Sequence, residues 1–316
     1  MPDFLELYRK KEPPVQKLEG KGLYSKGIEL YVQREDLLHP ELSGNKWRKL
    51  KYNLIAAKEQ GHRQLLSFGG AYSNHIYALA AAGRHLDFQT IGIIRGEADS
   101  RHNSTLQFAQ DCGMRLHFVD RSVYRRKTDP LFLQQLRDQF GPFYLLPEGG
   151  SNALAVQGCS EIINERTPSF PFDVCCVAAG TGGTAAGILH ALQPTQRALV
   201  FSALKGDFLQ KDIEQLLADF RQMHPHSTVS SPPNWQLITD YHFGGYAKFT
   251  PDLVRFINDF KANYGIPLEP IYTGKMLFGL FDLIAKDHFP KGTRILAIHT
   301  GGLQGLAGFR ERFGIF

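Results

Sequence analysis

The 316-residue sequence predicts an α/β fold with two parallel sheets, each covered by helices on both faces. Three features carry that prediction. Short β-rich runs alternate with segments of helical length, the alternation comes in two series, and glycine-rich turns follow the runs. A chain of this length can build both a deep core and a cleft between domains.

The first series starts near residue 63. "LLSFGG" (65–70) precedes "SNHIYALAAAGRH" (73–85), "TIGIIRGE" (90–97) precedes "STLQFAQDCG" (104–113), "RLHFVD" (115–120) precedes "PLFLQQLRDQF" (130–140), and "FYLLPEGG" (143–150) precedes "ALAVQGCSEII" (153–163). That order is repeated βαβ. The second series runs through "DVCCVAAG" (173–180), "ALVFSALKG" (198–206), "NWQLITDYH" (234–242) and "RILAIHTGG" (294–302). The Pro- and Ser-rich stretch 224–235 reads as a surface excursion before a strand, because regular patterns resume on both sides.

Composition is that of a globular domain, with 43% hydrophobic and 21% charged residues. The net charge of +5 is spread thinly, and the run Arg125-Arg126-Lys127 reads as a solvated face, so no nucleic-acid partner is expected. No apolar run reaches the ~18 residues of a membrane span, and the first residues lack a signal-peptide core, so no membrane partner and a cytoplasmic location are expected. Cys112, Cys159, Cys175 and Cys176 show no CxxC spacing; they read as core residues, with no metal site or disulfide.

In open parallel sheets, ligands bind beyond the carboxyl ends of the strands. Four turns there are rich in Gly, Ser, Thr and Asn: "GGAYSNH" (69–75), "PEGGSN" (147–152), "AGTGGT" (179–184) and "HTGG" (299–302). The third opens a helix after an apolar run, so its backbone N–H groups and the helix dipole can cradle an anion. It also satisfies a loose GxGxxG/A dinucleotide pattern. A dinucleotide site wants an acid at the end of the next strand, where Lys205 stands instead, and no GxxxxGK[ST] pattern is present. A single phosphate fits best. A phosphorylated cofactor without nucleotide features suggests pyridoxal phosphate, which needs a lysine partner.

"LSGNKWRKL" (42–50) offers candidates. Lys46 follows a turn of small residues, whereas Lys49 and Lys51 fall in a helical pattern and read as solvated. Position alone does not decide among them.

Nine motifs in this order, "QRED", "SGNKWRKL", "GGAYSNH", "YRRK", "PEGGSN", "GTGGTAAG", "GGYAKFTPDLVRFI", "EPIYTGKMLFGL" and "HTGG", give the chain its resemblance to the pyridoxal-phosphate enzymes of the 1-aminocyclopropane-1-carboxylate deaminase and D-cysteine desulfhydrase family. The resemblance covers essentially the whole chain. It implies the tryptophan-synthase-β-like fold, or fold type II, with two doubly wound α/β domains: 1–46 plus 157–316 as the larger and 47–156 as the smaller, with pyridoxal 5′-phosphate between them. It also implies a homodimer and a small amino-acid substrate.

By the same resemblance Lys46 is the Schiff-base lysine. Asn74 contacts the cofactor, Ser73 with neighbouring amides receives the substrate carboxylate, and His75 belongs to the substrate site. Thr181, Gly182, Gly183 and Thr184 hold the phosphate. Tyr246 and Tyr272 flank the substrate and serve in proton transfer, while Thr273 and Thr300 lie at the cofactor. Deaminases of the family carry Glu at the position of Thr273 and Gln at that of His75, so the chain is similar to the D-cysteine desulfhydrase side. Tyr72 and Tyr77 replace the usual Gln and Arg and are expected to reshape the pocket. The implied activity is α,β-elimination from D-cysteine; deamination of 1-aminocyclopropane-1-carboxylate and amino-acid sensing with little turnover are the alternatives.

Overall fold

A computed structural model describes residues 12–42, 44–96, 103–163, 170–225 and 234–316. The chain opens with β1 (Val15–Leu18), α1 (Lys21–Lys26), β2 (Glu29–Gln33), a 3₁₀ turn at Glu35–Leu37 and α2 (Asn45–Glu59). There follow β3 (Gln64–Gly70), α3 (Asn74–Leu86), β4 (Gln89–Arg95), α4 (Ser104–Asp111), β5 (Arg115–Val119), α5 (Arg121–Tyr124), α6 (Pro130–Phe140) and β6 (Tyr144–Leu146). After a tight turn at Glu148–Gly150 come α7 (Ala153–Ser160), β7 (Val174–Ala179), α8 (Gly183–Ala191), β8 (Arg197–Ser202), α9 (Phe208–Met223) and β9 (Asn234–Ile238). The last elements are α10 (Pro251–Tyr264), α11 (Thr273–Ala285), β10 (Arg294–Ile298) and α12 (Gly305–Phe313).

Helix starts follow capping chemistry. The side chains of Ser73, Asn103, Asp129, Asn152 and Thr250 each accept a first-turn backbone N–H, and Pro130 and Pro251 occupy first helical positions, where no N–H is needed.

The strands form two sheets, β1-β2-β10-β7-β8-β9 and β5-β4-β3-β6. Every ladder is parallel except β1–β2. Strand β7 is buried on both faces, as a central parallel strand must be. Its alternation sends Cys176 into the core with Leu30, Val32 and Ile295, and Cys175 into the core with Val177, Leu296 and Ile298. The two strands at the start of the chain were not anticipated; five residues or fewer with little alternation leave a weak signal. Positions 226–233 of the Pro- and Ser-rich stretch, and Ser43, lie outside the described residues. Among the described residues no helix is long and apolar enough to cross a membrane.

The strand order fixes where a ligand can enter. In the smaller sheet β4 and β5 lie on one side of β3 and β6 on the other, while in the larger sheet β8 and β9 lie on one side of β7 and β10 on the other. Successive connections therefore leave in opposite directions beside β3/β6 and β7/β10, opening a crevice at each switch point. The four glycine-rich turns are the loops after these four strands.

Candidate active site

The lysine-bearing turn packs directly on the loop after β10. Gly44 has φ 62°, and a Cβ there would lie 2.0 Å from the Thr300 carbonyl oxygen, so no side chain fits. Asn45 N donates to that same carbonyl at 3.2 Å, and Asn45 Nδ2 donates to Thr184 Oγ1 at 2.9 Å. The first residue of α2 thus bridges two loops of the larger sheet, and Lys46 follows it. Among the described residues Lys46 Nζ meets only the Asn45 side-chain oxygen, at 3.2 Å. Burial, and then the charge of Lys49, lowers its pKa from 10.5 to about 7. Such an amine keeps a free lone pair near neutrality.

Two neighbours depart from the solvated surface expected of them. Lys49 is buried, and its Nζ donates to Gly149 O at 3.0 Å, Ser151 Oγ at 2.9 Å and Thr181 Oγ1 at 3.2 Å. Three acceptors match the three protons of an ammonium. Burial nonetheless lowers its pKa to about 8. Lys51 is also buried, held by both carboxylate oxygens of Glu161 at 2.6 and 2.8 Å. Arg48 pairs with Glu35 at 3.0 Å and Glu161 at 3.4 Å. The basic run is a set of anchors because α2 lies between the sheets, with acceptors on both sides.

The loop 180–184 is built for close approach. A Cβ on Gly183 would lie 2.8 Å from Ser151 Oγ and 3.2 Å from Lys49 Cε. Ser151 Oγ and Thr181 Oγ1 share a 2.6 Å hydrogen bond, so this loop, the loop after β6 and Lys49 form one unit. Lys49 is the positive charge that sequence reasoning missed. Its spacing of three from Lys46, which puts both on one helical face, was the available signal.

Across the crevice, Ser73 caps α3, its Oγ accepting from Ile76 N at 3.3 Å. Asn74 reaches the loop after β10, since a Cβ on Gly302 would lie 2.8 Å from Asn74 Nδ2. His75 is buried, with Nε2 2.8 Å from Ser67 Oγ, whose hydroxyl donates to Leu146 O at 2.9 Å. Ser67 thus accepts from Nε2–H, which assigns the tautomer and leaves Nδ1 as a bare acceptor; Nδ1 has no partner among the described residues. Burial, with Lys46 and Lys49 nearby, holds the His75 pKa well below 6.5, so the ring is neutral.

Tyr272 overhangs the loop 180–184: a Cβ on Gly180 would lie 3.2 Å from its hydroxyl. The rings of Tyr246 and Tyr272 meet edge-on, centroids 6.3 Å apart. Desolvation raises both phenol pKa values, that of Tyr272 well above 10, although Tyr246 is 44% exposed. The Tyr246 turn is held from below, because buried Lys275 donates from Nζ to His242 O and Gly245 O, each at 2.8 Å. Thr273 is fully buried, and its hydroxyl donates to Glu269 Oε1 at 3.1 Å. Glu269 also accepts backbone N–H bonds from Ile271, Tyr272 and Thr273 at 2.6–3.1 Å.

One cavity of about 1380 Å³ gathers Lys46, Lys49, Ser73, Asn74, His75, Thr181, Gly182, Thr184, Tyr246, Tyr272 and Thr300. Of the residues expected at the cofactor or substrate, Gly183 and Thr273 stand behind its wall instead of on it. The Glu269 carboxylate turns the Thr273 hydroxyl away, and Gly183 is buried beneath Ser151. Tyr72 lines the cavity under the Arg312 guanidinium, 5.6 Å from its ring centroid. Tyr77 does not line it but stacks on Phe108, centroids 3.8 Å apart, so the expectation that it reshapes the pocket is not met.

Pyridoxal 5′-phosphate requires a lysine amine with a lone pair, an anion cradle and room for an aromatic ring. Lys46 with its lowered pKa, the Thr181–Thr184 loop with Lys49 against it, and the shared cavity meet all three. The comparisons agree. A D-cysteine desulfhydrase of Yersinia pestis is 30% identical, over 95% of this chain and 94% of its own length. A bifunctional D-cysteine desulfhydrase/1-aminocyclopropane-1-carboxylate deaminase of Arabidopsis thaliana is 32% identical over 93% of this chain and 77% of its own length. The crystal structure of an ACC deaminase homologue superposes with a TM-score of 0.83 at 27% identity, covering 99% of this chain and 98% of that one. Residues 11–301 match the family described as "Pyridoxal-phosphate dependent enzyme", and the chain belongs to it.

Proposed function

We propose that the protein catalyses α,β-elimination from a small amino acid, with D-cysteine as the first substrate: cysteine and water give pyruvate, ammonia and hydrogen sulfide. The observation that carries this reading is the low-pKa amine of Lys46 in one cavity with two phenols and a neutral histidine. The departures at Thr273 and His75 favour the desulfhydrase over the deaminase, and the D-cysteine desulfhydrase relatives support it.

Bound pyridoxal 5′-phosphate supplies the electron sink that stabilises negative charge at Cα. Lys46 Nζ would hold the cofactor, and as a free amine it would take the Cα proton of the substrate. Lys49 with Thr181, Gly182 and Thr184 would hold the phosphate, and Asn74 and Thr300 would orient the ring. Ser73 Oγ and the N-terminus of α3 bind the carboxylate, where the helix dipole favours an anion. His75 Nδ1 accepts a hydrogen bond from the substrate. Tyr246 Oη and Tyr272 Oη, protonated at neutral pH, hold a proton for the departing thiolate. In this reading residues 47–156 form the smaller domain that carries the carboxylate site, 1–46 with 157–316 form the larger one, and the enzyme works as a cytoplasmic homodimer.

The test is pyruvate release by the holoenzyme from D- and L-cysteine, D- and L-serine, β-chloro-D-alanine and β-chloro-L-alanine. D-cysteine is expected to lead. 1-Aminocyclopropane-1-carboxylate, assayed beside them by release of 2-oxobutanoate, separates the second reading, which the putative 1-aminocyclopropane-1-carboxylate deaminases of Pyrococcus horikoshii and Thermotoga maritima keep open. Rapid turnover of that substrate would reverse the assignment. A spectral response to D-amino acids without product would favour a sensor.

A further inference from the structure

We propose that Arg95, flanked by Lys127 and Arg121, forms a subsite for a second negative charge, so that the cavity binds amino acids with an anionic side-chain group, such as a carboxylate or phosphate ester, more tightly than neutral ones without a change in the elimination chemistry. The inference rests on the proposed function, since it presupposes an amino acid in the cavity.

Arg95 ends β4 and stands in register with Gly70, which ends β3. It therefore sits at the carboxyl edge of the smaller sheet, one strand from the loop that leads to Ser73. A Cβ on Gly70 would lie 3.7 Å from Arg95 Nη2, so the guanidinium rests against the start of that loop. Its other face covers Tyr124, 5.4 Å from the ring centroid. Tyr124 is buried, and its hydroxyl donates to Glu148 Oε1 at 2.7 Å. The guanidinium thus lies on an anchored platform, in a cation–π contact that keeps its fork of donors oriented.

Among the described residues the charges on this wall do not balance. Arg95, Arg121, Lys127 and Glu148 all line the cavity. Glu148 is already taken, by Tyr124 and by Lys127 at 3.2 Å. Among the described residues Arg95 has no ion pair; its guanidinium lies over Tyr124, and its charge also acts on the Tyr246 phenol. The other acids on the lining, Asp212 and Asp219, belong to α9, whose Ile213 and Leu216 face Gly182 at the phosphate end. Once Lys46 and Lys49 serve the cofactor, Arg95 is, among the described residues, a forked donor without an anion beside the substrate loop. Ser73 and the start of α3 hold the α-carboxylate. Neighbouring strands are about 4.8 Å apart, a gap that one short side chain spans. A substrate with a second anion can engage both.

The test is calorimetric binding to the holoenzyme of both enantiomers of aspartate and O-phosphoserine against asparagine, serine and alanine. The anionic ligands are expected to bind about 10-fold more tightly than the neutral ones, as a charge-assisted hydrogen-bond pair confers. That ratio should fall towards one in Arg95→Gln and be partly kept in Arg95→Lys, with cofactor absorbance checking that both variants are loaded. Equal binding of anionic and neutral ligands by the unaltered protein overturns the subsite alone. So does a ratio that survives Arg95→Gln, or a uniform loss for all ligands, which would place the α-carboxylate on Arg95. If no amino acid binds at all, the proposed function fails and the subsite with it.

Discussion

Lys49 Nζ lies 3.2 Å from Thr181 Oγ1, joining α2 to the loop 180–184 across 132 positions of sequence. Lys49→Met should weaken binding of pyridoxal 5′-phosphate to the cofactor-free protein by about 10- to 100-fold, the range of one hydrogen bond to a charged group. With its pKa at about 8, the free protein loses this charge as pH rises through that value, so affinity should decline over the same window. Fluorescence titration with the cofactor measures both. Unchanged affinity in Lys49→Met would reduce the lysine to a tie between loops.

Lys46 makes a second pH prediction. Its folded pKa of about 7 lies below the ordinary 10.5, so between these values the unfolded chain binds the extra proton. Stability of the cofactor-free protein therefore rises with pH across that window and is depressed below it. Lys46→Met removes the effect. The difference in unfolding free energy between variant and unaltered protein should shrink by about 2.7 kcal/mol from pH ~6 to pH ~9, at 1.36 kcal/mol per pKa unit. Denaturant unfolding at the two pH values reads it; a difference independent of pH would mean the amine is not desolvated.

What the sequence disclosed and what it withheld divide along chain separation. Turn chemistry is local, so the four glycine-rich loops were legible, and the strand order set all four at switch points. Gly44 is legible in the same way. Burial of Lys49 and Lys51 was not, because a helical pattern places them on α2 but their partners Gly149, Ser151, Thr181 and Glu161 are 100 or more positions away. Thr273 matches its motif position, yet its hydroxyl answers to Glu269, which no period marks. Tyr77 stands two residues after His75, but the turn of α3 carries it round to Phe108.

Among the described residues the one side chain that Ser67 hydrogen-bonds is His75, its other partners being the Leu146 and Pro147 carbonyls. Replacing it by Ala removes the acceptor for Nε2–H, so the ring no longer has a reason to keep Nδ1 bare. Ser67→Ala should raise the KM for the amino-acid substrate by about 10-fold, the value of a buried hydrogen bond, while cofactor affinity stays within about 2-fold. Nitrogen NMR of labelled histidine should show the shift in tautomer. If KM is unmoved while the tautomer changes, His75 does not contact substrate.

Lys275 governs the position of Tyr246 from outside the cavity. The turn carrying that tyrosine has Phe243 and Ala247 at φ 53° and 55°, a left-handed conformation costing about 1–3 kcal/mol per residue that persists only when its surroundings enforce it. The enforcement comes from the turn's own hydrogen bonds, Gly245 N–H to His242 O and Lys248 N–H to Gly245 O, and from one buried ammonium bonded to the same two carbonyls. Lys275→Met would take one of two donors from each carbonyl, leaving only the backbone N–H groups of Gly245 and Lys248, and let the turn relax. The expected result is a fall in kcat of about 10-fold or more and a loss of about 1–3 kcal/mol in stability. Cofactor affinity should hold, because the loop 180–184 and Lys49 lie elsewhere. Tyr246→Phe separates the two effects: if the phenol carries a proton, it should reproduce the loss in kcat without the loss in stability. A Lys275→Met enzyme that melts early but turns over normally would show that Tyr246 needs no fixed position.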